Sequence, residues 1–183
     1  MWLFFVISDV EREQLGELIV ALANGNNNAL EQIYSVAGGR LLSVAMGYTR
    51  NLQLAEDVLQ DSLVKAVINS AGFRRGTNGY AWLCTIVRNT ALNAIKSEGR
   101  RRGEDVSSFF DLSDGIDNFS CIENASAVQA ALKSLPQEER LAVWLKYFNE
   151  MSLREIAAEL NIGKSAVAEM IERAENKMRK FLK

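Results

Sequence analysis

The chain has 183 residues, 48% of them hydrophobic, with 21 Lys or Arg against 23 Asp or Glu, two cysteines and no histidine. That composition can fill a core and excludes a globally disordered protein. It also excludes zinc sites built on histidine, His-based general bases and Ser-His or Cys-His nucleophiles, and Cys84 and Cys121 cannot supply four thiolates. Two cysteines 37 positions apart suit reduced thiols in a cytosolic protein. No cofactor motif is present.

The near-neutral net charge conceals a pattern. Residues 1–72 carry 4 basic and 8 acidic side chains, whereas residues 73–102 carry 7 basic and 1 acidic. Residues 103–124 carry 6 acidic and no basic ones, and residues 125–183 carry 10 basic and 8 acidic. Fields act over a Debye length of about 8 Å, so the local basic block, not the average, decides whether a polyanion is attracted. The same block also fits a solvated helix end.

The opening Met1–Ile7 is apolar but too short to span a bilayer, and no basic residue precedes it as a secretory signal requires. It is expected to pack on the body or to be a start-site extension. No later segment approaches membrane-spanning length, so the cytoplasm is the expected location and no membrane insertion is expected.

Helical periodicity dominates the remainder, and proline occurs once. Leu15, Leu18, Ile19 and Leu22 form the first apolar stripe, ended by Asn24-Gly25. Leu30, Ile33, Tyr34, Ala37 and Leu41 open a second. A third helix is expected over 52–70, with Ala55, Val58, Leu59, Leu63, Ala66 and Val67 as its apolar side. Residues 72–79 read as a loop, and a fourth helix as 80–100. Residues 103–124 read as an acidic linker, unusual in holding Phe109, Phe110 and Phe119. Helices then resume at 127–135, 137–149, 152–160 and 165–181. The predicted fold class is all-α: two small helical domains joined by a flexible acidic linker. The expected boundaries are 1–27 for an extension and first helix, 28–102, 103–124 and 125–183.

Three segments carry chemistry. On the fourth helix Asn89, Asn93, Lys96 and Arg100 share an arc, bordered by Arg88, with Arg100-Arg101-Arg102 extending it. Amides read base edges and cations offset phosphate charge. The preceding loop offers Phe73, Arg74, Arg75 and Tyr80, with Trp82 beside it, and aromatics next to cations can stack unpaired bases. Any single aromatic is more commonly core. In the third segment, Ser152-Leu153-Arg154-Glu155 has the form of a capping box. Asn161-Ile162-Gly163 then makes a tight turn into a helix bearing Val167, Ile171, Ala174 and Met178, the helix-turn-helix pattern. A plain helical hairpin is the alternative.

These residues resemble the extracytoplasmic-function sigma factors of bacterial RNA polymerase, within the sigma-70 superfamily. The resemblance covers about residues 28–102 and 125–183. It rests on Ala55-Glu56-Asp57-Val58-Leu59-Gln60-Asp61-Ser62-Leu63-Val64-Lys65-Ala66, on Trp82-Leu83-Cys84-Thr85-Ile86-Val87-Arg88-Asn89, and on Leu135-Pro136 with Leu153-Arg154-Glu155-Ile156-Ala157. It implies that Asp57, Gln60 and Asp61 face the clamp helices of core polymerase. It implies that residues 73–80 hold the unstacked minus-ten strand, and that Asn89, Asn93, Lys96 and Arg100 meet its upstream duplex edge. The acidic linker would thread positively lined channels. Lys164, Ser165, Val167, Ala168, Glu169, Arg173 and Lys177 would form the minus-thirty-five surface. Two departures stand out. Asn93 replaces the family's usual Asp, and Ala166-Val167-Ala168-Glu169-Met170 replaces a usual Thr-Val-Lys-Ser-Arg. A carboxylate beside phosphates repels them, so minus-thirty-five contact is expected to be weak or unusually specific.

The resulting expectation is a non-enzymatic promoter-recognition subunit whose partners are core polymerase and promoter DNA. An anti-sigma factor is carried as a further candidate partner. The alternatives are a helix-turn-helix regulator that never docks polymerase, and a degenerate sigma paralogue that binds polymerase or an anti-sigma factor without reading DNA.

Overall fold

The computed structural model describes residues 7–102 and 126–181. The expected acidic linker with its three phenylalanines, Cys121 and residues 1–6 lie outside the described residues. Eight α-helices and one short 3-10 turn make up the described part, with no strand among the described residues.

Helix α1 (Asp9–Ala23) begins at a reciprocal cap. Ser8 Oγ accepts from the Glu11 amide, while a Glu11 carboxylate oxygen accepts from the Ser8 amide at 2.8 Å. Burial alone would raise the Glu11 pKa, but the Ser8 bonds and Arg40 outweigh it and hold the carboxyl below its ordinary value. The S-x-x-E spacing that announces this cap is as visible here as at Ser152. Ile7, just ahead of it, is buried, so that one residue of the apolar start packs on the body.

Helix α2 (Asn28–Thr49) is the central element. It buries Ala29, Ile33, Ala37, Leu41, Val44, Ala45 and Tyr48, then stops at Arg50 in the left-handed region. Helix α3 (Leu52–Asn69) starts at Asn51, whose side chain accepts from the Leu54 amide at 3.0 Å. It buries Ala55, Val58, Leu59, Ser62 and Ala66, all within one stripe. Helix α4 (Gly79–Arg102) begins where Asn78 accepts from the Ala81 amide at 3.1 Å. Here the chain must pass close to α1: a Cβ on Gly79 would lie 2.7 Å from the Gly16 backbone nitrogen. Any side chain there would force the two backbones apart.

The second unit comprises α5 (Ser126–Lys133), α6 (Gln137–Tyr147), α7 (Leu153–Leu160) and α8 (Lys164–Phe181). The Ser152 capping box is present: Ser152 Oγ accepts from the Glu155 amide and the Glu155 carboxylate accepts from the Ser152 amide at 2.8 Å. Helix α7 ends at Asn161 with φ 52°, and Ile162-Gly163 leads directly into α8. A small cluster of Ala131, Leu132, Leu135, Val143, Ala174 and Met178 ties α5 and α6 to α8.

The two units do not stand apart. Leu141, Ala142, Trp144, Leu145, Phe148, Met151, Ile156 and Val167 belong to the same continuous core as α1–α4. Trp144 is fully buried and packs edge-on to Tyr48, ring centroids 5.2 Å apart. Burying an indole of this size contributes on the order of 3 kcal/mol.

Candidate nucleic-acid and docking interfaces

The outer face of α4 is built by two opposite requirements on one helix. Leu83, Val87, Thr90, Ala91 and Ile95 are buried against the unit, while Asn89, Asn93, Lys96 and Arg100 are exposed. Their spacing of four, three and four residues keeps them on one side. Arg100 donates from Nε to the Lys96 carbonyl at 3.2 Å, which lays its guanidinium along the helix. The face is thus a run of two amides followed by two cations, open to a groove or a phosphate chain.

The loop ahead of α4 is more ordered than its composition suggests. Phe73 is buried and meets half-buried Trp82 edge-to-face, with centroids 5.5 Å apart. The Arg74 carbonyl accepts from the Thr77 amide and hydroxyl, at 3.2 and 2.7 Å. The Arg74 side chain is exposed, and Arg75 grips Glu17 of α1 through two bonds of 2.9 and 2.8 Å. Tyr80 is 1% exposed and donates to the Phe148 carbonyl at 3.1 Å. Its burial pushes the phenol pKa well up, so it stays a donor. Arg88 is half-buried and paired with Glu159 of α7. As direct base contacts, Phe73 and Tyr80 are therefore corrected in this conformation: both rings are core. The single-aromatic rule favoured that outcome, and Arg74, Arg75 and Trp82 remain at the surface.

On α3, Asp57, Gln60 and Asp61 are all exposed, and none is in an ion pair among the described residues. The same face continues into exposed Val64 and Ile68. Val67, expected on the apolar inner side, is 36% exposed instead. Sequence reading missed Val64 and Ile68, although their spacing from Gln60 and Asp61 places them in the same stripe. The result is a patch with an acidic-amide half and an aliphatic half, suited to a helical partner carrying cations beside apolar side chains.

Helix α8 holds the largest correction. Val167 is fully buried and Met170 and Ile171 join it in the core, so in this conformation Val167 is not on the surface where it was expected. Arg173 and Lys177 both turn toward Glu139 of α6. Lys177 Nζ lies 2.8 Å from one Glu139 oxygen, and Arg173 Nε lies 3.7 Å from the other. Glu139 is buried, so these two cations compensate its charge and hold α6 to α8. Glu169 is exposed and lies 4.0 Å from Arg173. Arg173 and Lys177 stay exposed beside Glu139, and Lys164 and Ser165 are exposed at the helix start, with half-buried Ala168 behind them.

Known proteins match this arrangement in order and extent. The family model described as Sigma-70 region 2 matches residues 33–101, and that described as Sigma-70, region 4 matches residues 125–178. The RNA polymerase sigma-H factor of Pseudomonas aeruginosa is 26% identical over 183 residues, covering 93% of this chain and 95% of its own length. The ECF RNA polymerase sigma factor SigM of Mycobacterium tuberculosis is 28% identical over 166 residues, covering 91% of this chain and 83% of the relative. Among solved structures, CnrH in complex with the cytosolic domain of CnrY shares the fold with a TM-score of 0.53. It is 24% identical, with 92% of this chain and 97% of that chain covered. The first match takes in the whole of α3 and the amide-cation face of α4, and the second takes in α7 and most of α8. With both regions present in their order along one polypeptide, the chain belongs to the sigma-70 family of RNA polymerase sigma factors, in its extracytoplasmic-function group.

Proposed function

We propose that this chain is a dissociable, non-catalytic initiation subunit that docks core polymerase through α3 and holds opened promoter DNA through α4 and the 73–78 loop. The observation that carries this reading is the presence of two separate exposed faces on one packed unit. One is Asp57, Gln60 and Asp61 with Val64 and Ile68; the other is Asn89, Asn93, Lys96 and Arg100. Opening a duplex loses stacking and pairing, and capture of the freed strand offsets part of that loss. No described helix is long and apolar enough to cross a membrane, and we place the protein with polymerase and DNA in the cytoplasm.

CnrH is found with the cytosolic domain of a second protein, and we extend to this chain a protein regulator of the anti-sigma kind. One observation favours the degenerate-paralogue reading for the second unit alone. Glu139 engages two of the cations that a minus-thirty-five contact would use, and Glu169 faces outward. Duplex contact by α8 then rests on Lys164, Ser165 and the helix start.

Reconstitution with core polymerase tests the reading. Wild-type protein is expected to support promoter-dependent transcripts. The double variant Gln60→Ala/Asp61→Ala is expected to bind core about 30-fold more weakly, equivalent to ~2 kcal/mol. Unchanged core binding by that variant would remove α3 as the docking helix.

A further inference from the structure

At 100° per residue, Trp82, Thr85, Asn89, Asn93, Lys96 and Arg100 fall on one stripe of α4, about 80° wide. Several of its side chains are already engaged. Thr85 donates its hydroxyl to the Ala81 carbonyl at 2.9 Å, Trp82 meets the Phe73 ring, and Arg100 donates to the Lys96 carbonyl. Arg88, at the border, is held by Glu159. Asn89 and Asn93 are exposed, and no hydrogen bond to another described residue engages either amide. Elsewhere asparagine works within the fold: Asn51 and Asn78 cap helices, Asn69 donates to the Lys65 carbonyl, and Asn149 donates to the Tyr48 hydroxyl. Asparagine is a poor helix former. Two of them inside one helix, with no local partner, cost stability and return none to the fold.

A free amide offers an N–H donor and a carbonyl acceptor side by side. In the major groove adenine presents the complement, the N7 acceptor beside the N6 donor. Guanine presents two acceptors, cytosine a donor, and thymine an acceptor with a methyl group. Only adenine satisfies both halves of one amide at once. A carboxylate would favour cytosine instead, but none shares the stripe: Glu98, the only acidic residue of α4, falls half a turn away. An α-helix about 10–12 Å across enters a major groove about 12 Å wide. Four residues separate Asn89 from Asn93 by about 6 Å along the axis, and stacked base pairs lie about 3.4 Å apart. The two amides therefore reach pairs up to two steps apart. Trp82 and the 73–78 loop stand at one end of the stripe, and the cations at the other.

We propose that Asn89 and Asn93 set the base sequence this face selects, each pairing its amide with N7 and N6 of an adenine in the major groove. The duplex just upstream of the opened segment then carries A·T pairs at two positions no more than two steps apart. The proposal deepens the promoter-holding role given to α4 and rests on it. Lys96 and Arg100 supply affinity that is blind to sequence, and the amide pair supplies the choice of base. One substitution rewrites that choice: Asn93→Asp removes the donor, and a carboxylate accepts from cytosine N4.

The test uses holoenzyme reconstituted from core polymerase and the full chain. It selects from a pool of forked DNA probes, with a short randomised duplex upstream and a single strand downstream, and bound probes are sequenced. Wild type is expected to enrich adenine about tenfold at two positions no more than two steps apart. Asn93→Asp is expected to move one of those positions to cytosine and leave the other as adenine, and Asn89→Asp to do the reverse. A probe with 7-deazaadenine at a selected position lacks only the N7 acceptor. Wild-type holoenzyme is expected to bind it about fivefold more weakly, the worth of one hydrogen bond. That measurement needs no variant and decides alone if the substitutions lower helicity in circular dichroism. An absent adenine preference, a preference that survives both substitutions, or equal affinity for the 7-deazaadenine probe would overturn the proposal. Formation of the core complex is read first by gel filtration. Its failure removes the initiation role and this reading with it, whereas a holoenzyme that forms and selects bases other than adenine removes this reading alone.

Discussion

Helices α4 and α8 both carry cations at helical spacing, yet the structure uses those cations differently. On α4, Asn89, Asn93, Lys96 and Arg100 stand on an exposed face. On α8, Arg173 and Lys177 converge on buried Glu139, and Val167 is withdrawn into the core. A basic side chain already compensating a buried carboxylate must leave an uncompensated charge behind before it can meet a phosphate. Counting lysines and arginines therefore overstates what α8 can offer a phosphate, and on α4 the count must leave out Arg88, which pairs with Glu159.

The comparison can be broken most sharply by removing each set. Asn89→Ala/Asn93→Ala/Lys96→Ala is expected to weaken binding to a minus-ten oligonucleotide about 100-fold, at ~1 kcal/mol per contact, and to reduce the salt slope by about 1. Arg173→Ala/Lys177→Ala is expected to change DNA affinity less than about threefold, with a slope change near zero, while lowering the melting temperature. Equal losses in anisotropy titrations across salt would erase the distinction.

A smaller effect sharpens it from the carboxylate side. Glu139→Gln is expected to destabilise the protein by about 1–3 kcal/mol in denaturant unfolding, because two cations lose their charged acceptor. Released from that duty, Arg173 and Lys177 should then steepen the salt dependence of duplex binding. A variant as stable as wild type would mean that Glu139 does not organise α6 and α8.

The smallest effect concerns the cap beneath the helix-turn-helix. The Ser152 side-chain bond, then its backbone bond, holds the Glu155 carboxyl below its ordinary pKa. A depressed carboxyl stabilises the fold above the unfolded glutamate value near ~4.3 and loses that contribution as pH falls through the lower folded value. Ser152→Ala is expected to cost about 1 kcal/mol at neutral pH and to flatten the acid limb of the stability profile. Thermal melts from neutral to acid pH measure both.

Much of this was legible from local pattern. The helix order, the α7 cap and the turn at Asn161 follow from spacing and residue type, and the observed helix ends fall within about two residues of those expected. Long-range choices were not legible. Phe73 and Tyr80 could equally have been stacking platforms, because burial depends on what α1 and α6 bring against them. Glu139 gives no sign in sequence of the two cations, Arg173 and Lys177, that reach it from a later helix. Trp144 reads as an ordinary core aromatic of its own unit, yet its seat is Gly47 in the other.

Gly16 has a consequence of its own. A Cβ there would lie 3.7 Å from the Thr77 carbonyl oxygen and 3.8 Å from the Phe73 ring, so both ends of the 73–78 loop rest on one bare spot of α1. Glu17, its neighbour, holds Arg75 in the middle. A loop moulded in this way has little ordering entropy left to lose when a ligand meets it.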